Sequence, residues 1–316
     1  MNTIPASFKN HTPEIHFAPL QGFTDMAYFS AYSHFFSDVD FYYTPYFSVD
    51  DNLSVELFLP KLLSNQLIAQ VLPKDIAELG ILLDFVVKNN FSEINMNLGC
   101  PYPMVTRKGR GAALIQQRNK VAEMIDFIHN HSSLDVSIKT RLGLSDENEI
   151  LHLLDDVAVK KIKSVIVHPR TAAQLYKGDV SLPMYHRCLE LFPDFDFIFN
   201  GDITSLAVFE KLQAFFPDQS KWMIGRGLLS DPFLAGRLKG ADFGDIDSKN
   251  KLLKRFIIKL IDEIENNSKD KGHAINRIKT QFQYLSYAFT NPQKVSRTVK
   301  KMKLIDEIEE FVRCNL

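Results

Sequence analysis

Glu93-Ile94-Asn95-Met96-Asn97-Leu98-Gly99-Cys100-Pro101 reads as a strand-like run, 93–98, that breaks into a turn and delivers a single thiol just beyond its end. Where strands close into a barrel, chemistry is done at the mouth formed by their C-terminal ends, and Cys100 falls there. An unperturbed thiol has a pKa of about 8.5 and is mostly protonated at neutral pH, so it can donate a proton. The competing reading of Cys100 is a small buried hydrophobe, the usual fate of a free cysteine.

The run is one of eight. Strand character recurs at residues 15–20, 41–47, 67–72, 93–98, 135–141, 164–168, 195–200 and 221–224, spaced for the most part by about 26 to 30 residues, which suits strand-loop-helix-loop units. Helix-period stretches such as 121–129 and 206–216 lie between them. Eight alternating units predict an α/β fold, a (β/α)8 barrel. A doubly wound open sheet competes, but the three spaced glycines expected after its first strand are missing. The longer gap between the fourth and fifth runs leaves room for an extended loop after Cys100.

After Gly244 the pattern changes. Leu253, Ile257, Leu260 and Ile264 form one helical stripe, and Ile275, Ile278, Phe282, Leu285 and Phe289 form another. A third helix is expected over 295–312. The division predicted is a barrel domain, 1–243, followed by an all-helical domain, 244–316. Residues 241–316 hold 15 Lys and Arg against 11 Asp and Glu, a net +4, while the rest of the chain carries −5. A basic helical segment on an acidic barrel suits a polyanion, although solvated helix faces produce the same counts.

The whole chain of 316 residues is 45% apolar, 11% aromatic and formally −1 in charge, so it can bury a large core and presents no global polyanion surface. Cys100, Cys188 and Cys314 are too few and too scattered for a disulfide framework or a zinc cluster, and suggest reduced thiols. Residues 1–9 lack a basic start followed by an apolar segment, and no apolar run approaches a membrane span of about 18 residues. A cytoplasmic location without membrane or metal is the expectation.

Asn200-Gly201-Asp202 follows the seventh run and Gly225-Arg226-Gly227 the eighth. Loops at these two places commonly hold a phosphate in such barrels. Glycine lets backbone approach the ligand, and Arg226 adds a charge-assisted donor. In Ser137-Ile138-Lys139-Thr140-Arg141, alternation puts Lys139 and Arg141 on one side, opposite Ile138. Two cations pointing into a barrel need anionic partners. A reduced isoalloxazine would serve, and so would a structural carboxylate. Gln70, on the third run, can donate and accept at once, which suits a flavin or pyrimidine edge. His168 ends the sixth run, and Ala18-Pro19-Leu20-Gln21-Gly22 ends the first.

In this order, residues 18–25, Gln70, 95–101, 109–114, 139–143, 168–171, 200–202 and 225–227 resemble the tRNA-dihydrouridine synthase family, flavoenzymes that reduce uridines in tRNA. Asn-x-Gly-Cys-Pro followed by Gly-x-Gly-Ala is the specific part. The resemblance implies an FMN-binding barrel and a helical domain that helps seat the tRNA. Pro19, Leu20 and Gln21 would line the flavin, Gln70 and Lys139 would bond its ring edge, and His168 would sit beside it. Asn200, Gly201, Asp202, Gly225 and Arg226 would hold the ribityl chain and phosphate. Asn97 would bind the uracil with Arg141 close by. Hydride from FMN to C6 of uracil would be matched by a proton from Cys100 to C5, with NADPH or NADH as reductant. Leu20-Gln21 stands where methionine and a small or acidic residue are usual, and Pro169 replaces a glycine. Two rivals to this reading are a flavin barrel acting on a free pyrimidine, similar to dihydroorotate dehydrogenase, and a non-catalytic RNA-binding barrel.

Overall fold

Strand β4, Glu93–Leu98, is buried along its whole length, yet only every second residue is apolar. Ile94, Met96 and Leu98 point out into the main core, packed under helices, while Glu93, Asn95 and Asn97 point inward. The computed structural model, which describes residues 12–50 and 66–316, closes eight parallel strands around this inward face. They are β1 Glu14–Phe17, β2 Phe41–Tyr43, β3 Leu67–Val71, β4, β5 Asp135–Arg141, β6 Ser164–His168, β7 Phe197–Phe199 and β8 Lys221–Ile224. β1 pairs with both β2 and β8, which removes every sheet edge. The (β/α)8 barrel read from the spacing is therefore the observed fold. The N-terminal reading at residues 1–9 lies outside the described residues.

The barrel interior has two characters. Ala18, Tyr43, Ile68, Ile166, Ile198 and Met223 form an apolar plug, the ordinary filling of such a barrel. The inward positions of β4 and β5 are instead polar: Asn95, Asn97, Ser137, Lys139 and Arg141. Register places Asn95 beside Gln70 and Ser137, and Asn97 beside Lys139. The long connection after Cys100 is built from a short helix, Pro103–Thr106, and a 3-10 segment, Gly111–Gln116, before the Arg118–His131 helix begins.

The all-helical stretch follows Gly244. Its first helix, Ile246–Asn266, buries Leu253, Phe256, Ile257, Leu260, Ile261 and Ile264, largely against the Met26–Phe35 helix that follows β1. The Phe256 ring lies 5.9, 6.1 and 5.4 Å from those of Tyr28, Tyr32 and Phe36. The next helix, Lys271–Leu285, reaches the barrel mouth: Arg277 pairs with Asp25 at 2.6 Å, and Gln281 Nε2 donates to the Phe23 carbonyl at 2.8 Å. The helix expected over 295–312 is two helices, Pro292–Lys301 and Ile305–Asn315. The apolar stripe runs on through Val299, Met302 and Ile305, but the backbone at Met302 is extended, and Glu307 accepts from the amides of Lys303 and Leu304 to start a second helix. No helix among the described residues is long and apolar enough to cross a membrane.

Phe256 is fully buried between the barrel and the tail, so Phe256→Ala should cost about 3–5 kcal/mol. Urea unfolding should show one transition moved to lower denaturant. A separate early transition confined to the tail would mean that the helices fold independently of the barrel.

Candidate active site

The strand ends surround a cavity of about 270 Å³. Pro19, Leu20 and Gln21 enter it from the β1 loop, Gln70 from β3, and Asn97 and Cys100 from β4 and its turn. Lys139 and Arg141 come from β5 and His168 from β6. Asn200, Gly201 and Asp202 follow β7, and Gly225 and Arg226 follow β8. Each residue picked from the sequence therefore stands on one wall or another of the same cavity.

The Cys100 turn is held from two sides. Asn97 Oδ1 accepts from the amides of Gly99 at 3.0 Å and Cys100 at 2.9 Å. The Cys100 carbonyl accepts from the Ala112 amide at 3.0 Å. Gly111 has φ +59°, and a Cβ there would stand 2.7 Å from the Cys100 oxygen and 2.9 Å from its Cβ. That position requires glycine on both counts. The thiol is 9% exposed. Burial pushes its pKa up, against smaller downward effects from a Tyr102 backbone hydrogen bond, Arg141 and Lys139. Cys100 is thus a thiol at neutral pH, able to give a proton.

Positive charge accumulates opposite it. Among the described residues Lys139 has no hydrogen-bond or ion-pair partner, and burial followed by the charge of Arg141 lowers its pKa to about 7. Arg141 donates to three backbone carbonyls, those of Gly99, Thr171 and Leu175, at 2.7 to 3.0 Å. Among the described residues, neither cation meets the structural carboxylate that the sequence left open. Arg170, which sequence reasoning passed over, is 2% exposed. It pairs with the Asp202 carboxylate and donates to the Gly178 carbonyl. Its Nη1 lies 3.2 Å from His168 Nε2. A guanidinium only donates, so Nε2 accepts and the imidazole proton sits on Nδ1. Burial, reinforced by Arg141, Lys139, Arg170 and Arg226, holds the His168 pKa well below its usual value, which keeps the ring neutral.

The two candidate phosphate loops touch. Gly227 lets them do so, since a Cβ there would fall 2.1 Å from the Ile203 carbonyl. Asp202, at φ +47°, turns its carboxylate to both Arg170 and Arg226, the latter at 2.7 Å. The resemblance would have Asp202 hold the ribityl chain and phosphate, whereas its carboxylate is paired with these two arginines. Arg226 also lies 4.6 Å from the Tyr176 ring centre and Arg141 5.4 Å. Tyr176 and Tyr284 are further wall residues that the sequence did not disclose. One sits in the loop after β6 and the other arrives on a tail helix. Arg170 was detectable, since it is two residues past His168.

The cavity suits an anionic, planar, phosphorylated ligand. Counting partners among the described residues, it holds an unpartnered buried ammonium, a buried arginine without a carboxylate, the four carboxamides of Gln21, Gln70, Asn97 and Asn200, and a glycine-bearing pair of loops beside Arg226. No cluster able to hold a metal is found among the described residues.

Comparison with known proteins agrees with the geometry. A family model described as dihydrouridine synthase matches residues 16–314. A tRNA-dihydrouridine(16) synthase of Cupriavidus necator is 28% identical over 222 residues, 69% of this chain and 68% of that protein. A tRNA-dihydrouridine(20/20a) synthase of Shewanella oneidensis is 27% identical over 172 residues, 51% of this chain and 50% of that protein. Among solved structures, histamine dehydrogenase from Rhizobium sp. 4-9 superposes with a TM-score of 0.50 at 10% identity, covering 78% of this chain and 49% of that one. The last is a likeness of fold.

Lys139 makes a prediction with a sign. Its folded-state pKa of about 7 lies below the unfolded value of about 10.4. The unfolded chain therefore binds more protons between those values, and stability rises with pH across that window. Below pH 7 both states are charged and the full penalty of burial applies. In protein stripped of bound small molecules, Lys139→Met should raise the urea midpoint below pH 7, and the gain should shrink as pH climbs toward 10. A gain that does not change with pH would show that the charge is not what destabilises.

Proposed function

This chain belongs to the dihydrouridine synthase family, and we propose that it reduces the C5–C6 double bond of a uridine in tRNA, using FMN recharged by NADPH or NADH. The observation that carries the reading is the nearly buried Cys100 thiol, its turn fixed by Asn97 and Gly111, in one cavity with the cations Lys139 and Arg141. A reduced flavin, when bound, supplies the hydride.

Gln70 and Lys139 are assigned to the flavin ring edge, where the ammonium of Lys139 balances negative charge on the ring. Asn200, Gly201, Gly225 and Arg226 are assigned to the ribityl chain and phosphate, with Asp202 and Arg170 holding the arginine pair in place. Pro19, Leu20 and Gln21 cover the ring and exclude water. His168, neutral and bound to Arg170, contributes shape and an Nδ1 donor without a second competing cation. Asn97 has spent its oxygen on the Cys100 turn and one N–H on Gln70, so it offers its remaining N–H to a carbonyl of the uracil. Arg141 lies beside the thiol and stabilises charge that develops on the uracil oxygens. Cys100 gives its proton to C5.

A uridine must leave its stack to enter this cavity, which costs a few kcal/mol, less for an unpaired loop base. We assign the seating of the tRNA to the helical stretch 244–316, where 15 Lys and Arg against 10 Asp and Glu leave a net +5 charge. Tyr284 from that stretch and Phe23 from the β1 loop, 4.9 Å apart, form part of the entrance. The two relatives named above are assigned to different tRNA positions, and the position follows from how the tRNA is oriented on this surface.

Cys100→Ala is the decisive variant. It should retain FMN and remain reducible by NADPH, while reoxidation of the flavin by tRNA should fall by about 10²–10⁴, the usual contribution of a general acid. Stopped-flow absorbance times the two half-reactions separately. Near-normal reoxidation by tRNA in this variant would return Cys100 to the role of a core residue, and turnover of free uracil by the parent would favour the free-pyrimidine rival.

A further inference from the structure

Beneath the cavity floor runs an uninterrupted line of side-chain hydrogen bonds. Asn97 Nδ2 donates to Gln70 Oε1 at 2.8 Å, and Gln70 Nε2 to Asn95 Oδ1 at 2.8 Å. Asn95 Nδ2 donates to Ser137 Oγ at 2.9 Å, and Ser137 to Glu93 Oε1 at 2.5 Å. Glu93 ends the line on Lys163, 2.8 Å away at the far end of the barrel. Gln70, Asn95, Ser137 and Glu93 are 1%, 0%, 0% and 3% exposed. Positions of this kind are usually filled by Val, Ile or Leu, and polar groups placed there are costly unless every one is paired.

Both ends of the line dictate its direction. The Glu93 carboxylate, paired with Lys163, can only accept, so Ser137 must give it the hydroxyl proton. Ser137 oxygen then accepts, which turns the Asn95 amide nitrogen toward it and the Asn95 oxygen toward Gln70. At the other end, the Gly99 and Cys100 amides can only donate, so Asn97 must face them with oxygen and Gln70 with nitrogen. The two constraints meet at Gln70 and agree. Neither Gln70 nor Asn97 can flip without opposing oxygen to oxygen and nitrogen to nitrogen along the line.

We propose that Asn95, Ser137 and Glu93 are positioning residues that lock the amide polarity of Gln70, so that its one uncommitted N–H keeps a fixed place from which to meet the ligand above it. The inference rests on the reading of the cavity as a flavin site. A locked donor at the ring edge favours an acceptor there, and favours it more as negative charge builds on the ring, so it tunes the balance between oxidised and reduced cofactor. Asn95 and Ser137 do not line the cavity, so they act through Gln70.

Asn95→Leu separates this role from simple space filling. Leucine suits a barrel interior in shape, but it leaves Gln70 Nε2 and Ser137 Oγ without the partners Asn95 gave them, so some stability is lost with those bonds. The expected holoprotein folds with a lowered unfolding temperature, binds FMN about tenfold more weakly, and shows a shifted potential for the bound flavin, which lost stability alone would not produce. A tenfold change in preference between the two redox states corresponds to about 30 mV for this two-electron couple. Ser137→Ala, which cuts the line one residue further on, should move both quantities in the same direction by less, and serves alone should the leucine variant fail to fold. FMN affinity and potential within twofold of the parent's preference in the folded variant would overturn the proposal and leave the line as structure. A parent protein that neither carries nor binds FMN would instead overturn the flavin reading itself.

Discussion

One oxygen atom organises the site. Asn97 Oδ1 takes the two amides that leave β4, of Gly99 and Cys100, and so converts the end of a strand into a turn that holds a thiol against the cavity. The same bond commits the Asn97 nitrogen to Gln70 on the neighbouring strand. Strand pairing makes this possible, because the closed parallel register sets Gln70 beside Asn95, and Asn97 beside Lys139. The glycine at 111 completes the fixation from the loop side, where any side chain would collide with Cys100. A thiol on a free loop would sample many positions. Here backbone, carboxamide and a close glycine contact leave it one, which is what proton transfer to a defined carbon demands.

The second constraint is charge. Lys139, Arg141, Arg170 and Arg226 converge on the region around His168, and Asp202 is the carboxylate that pairs two of them. An interior with this imbalance is expensive in isolation, and the lowered pKa of Lys139 and the neutral His168 are how the protein lessens it. An anionic ligand reverses the sign of that expense. The arrangement therefore trades stability of the empty cavity for affinity, a pattern common to sites that bind charged cofactors.

The sequence made the barrel legible because each strand-loop-helix unit repeats the same problem, burying one sheet layer beneath one helix, and so repeats at a similar length. Strand-end residues were legible for a related reason: in a parallel barrel, the C-terminal end of any strand faces the same mouth. Period-two alternation put Lys139 and Arg141 together, and the structure keeps them so. What escaped were residues delivered by tertiary packing. Tyr176 belongs to a loop anchored by the Leu175 carbonyl on Arg141, and Tyr284 to a helix docked far along the chain, and neither carries a local signal. The single tail helix expected over 295–312 failed at Met302 because the apolar stripe runs unbroken through Val299, Met302 and Ile305 and so hides the extended residue and the Glu307 cap that start a second helix there. The internal polar line escaped as well, since Asn95 and Ser137 look unremarkable until register sets them side by side.

That docking ties the tail to the cavity wall through packing and hydrogen bonds, not through charge alone. The Ile246–Asn266 helix buries its stripe on the first barrel helix, and the Lys271–Leu285 helix is bonded to the β1 loop through Gln281 and to Asp25 through Arg277. Asp25 also caps the first barrel helix by accepting from the Tyr28 amide. The β1 loop in turn carries Pro19, Leu20 and Gln21 into the cavity. The surface assigned to the tRNA and the wall assigned to the flavin are thus joined by a short run of packed and hydrogen-bonded groups. A helix displaced at residue 277 or 281 would disturb the wall proposed for the ring as well as the surface proposed for the RNA, so the two proposed roles are not structurally independent.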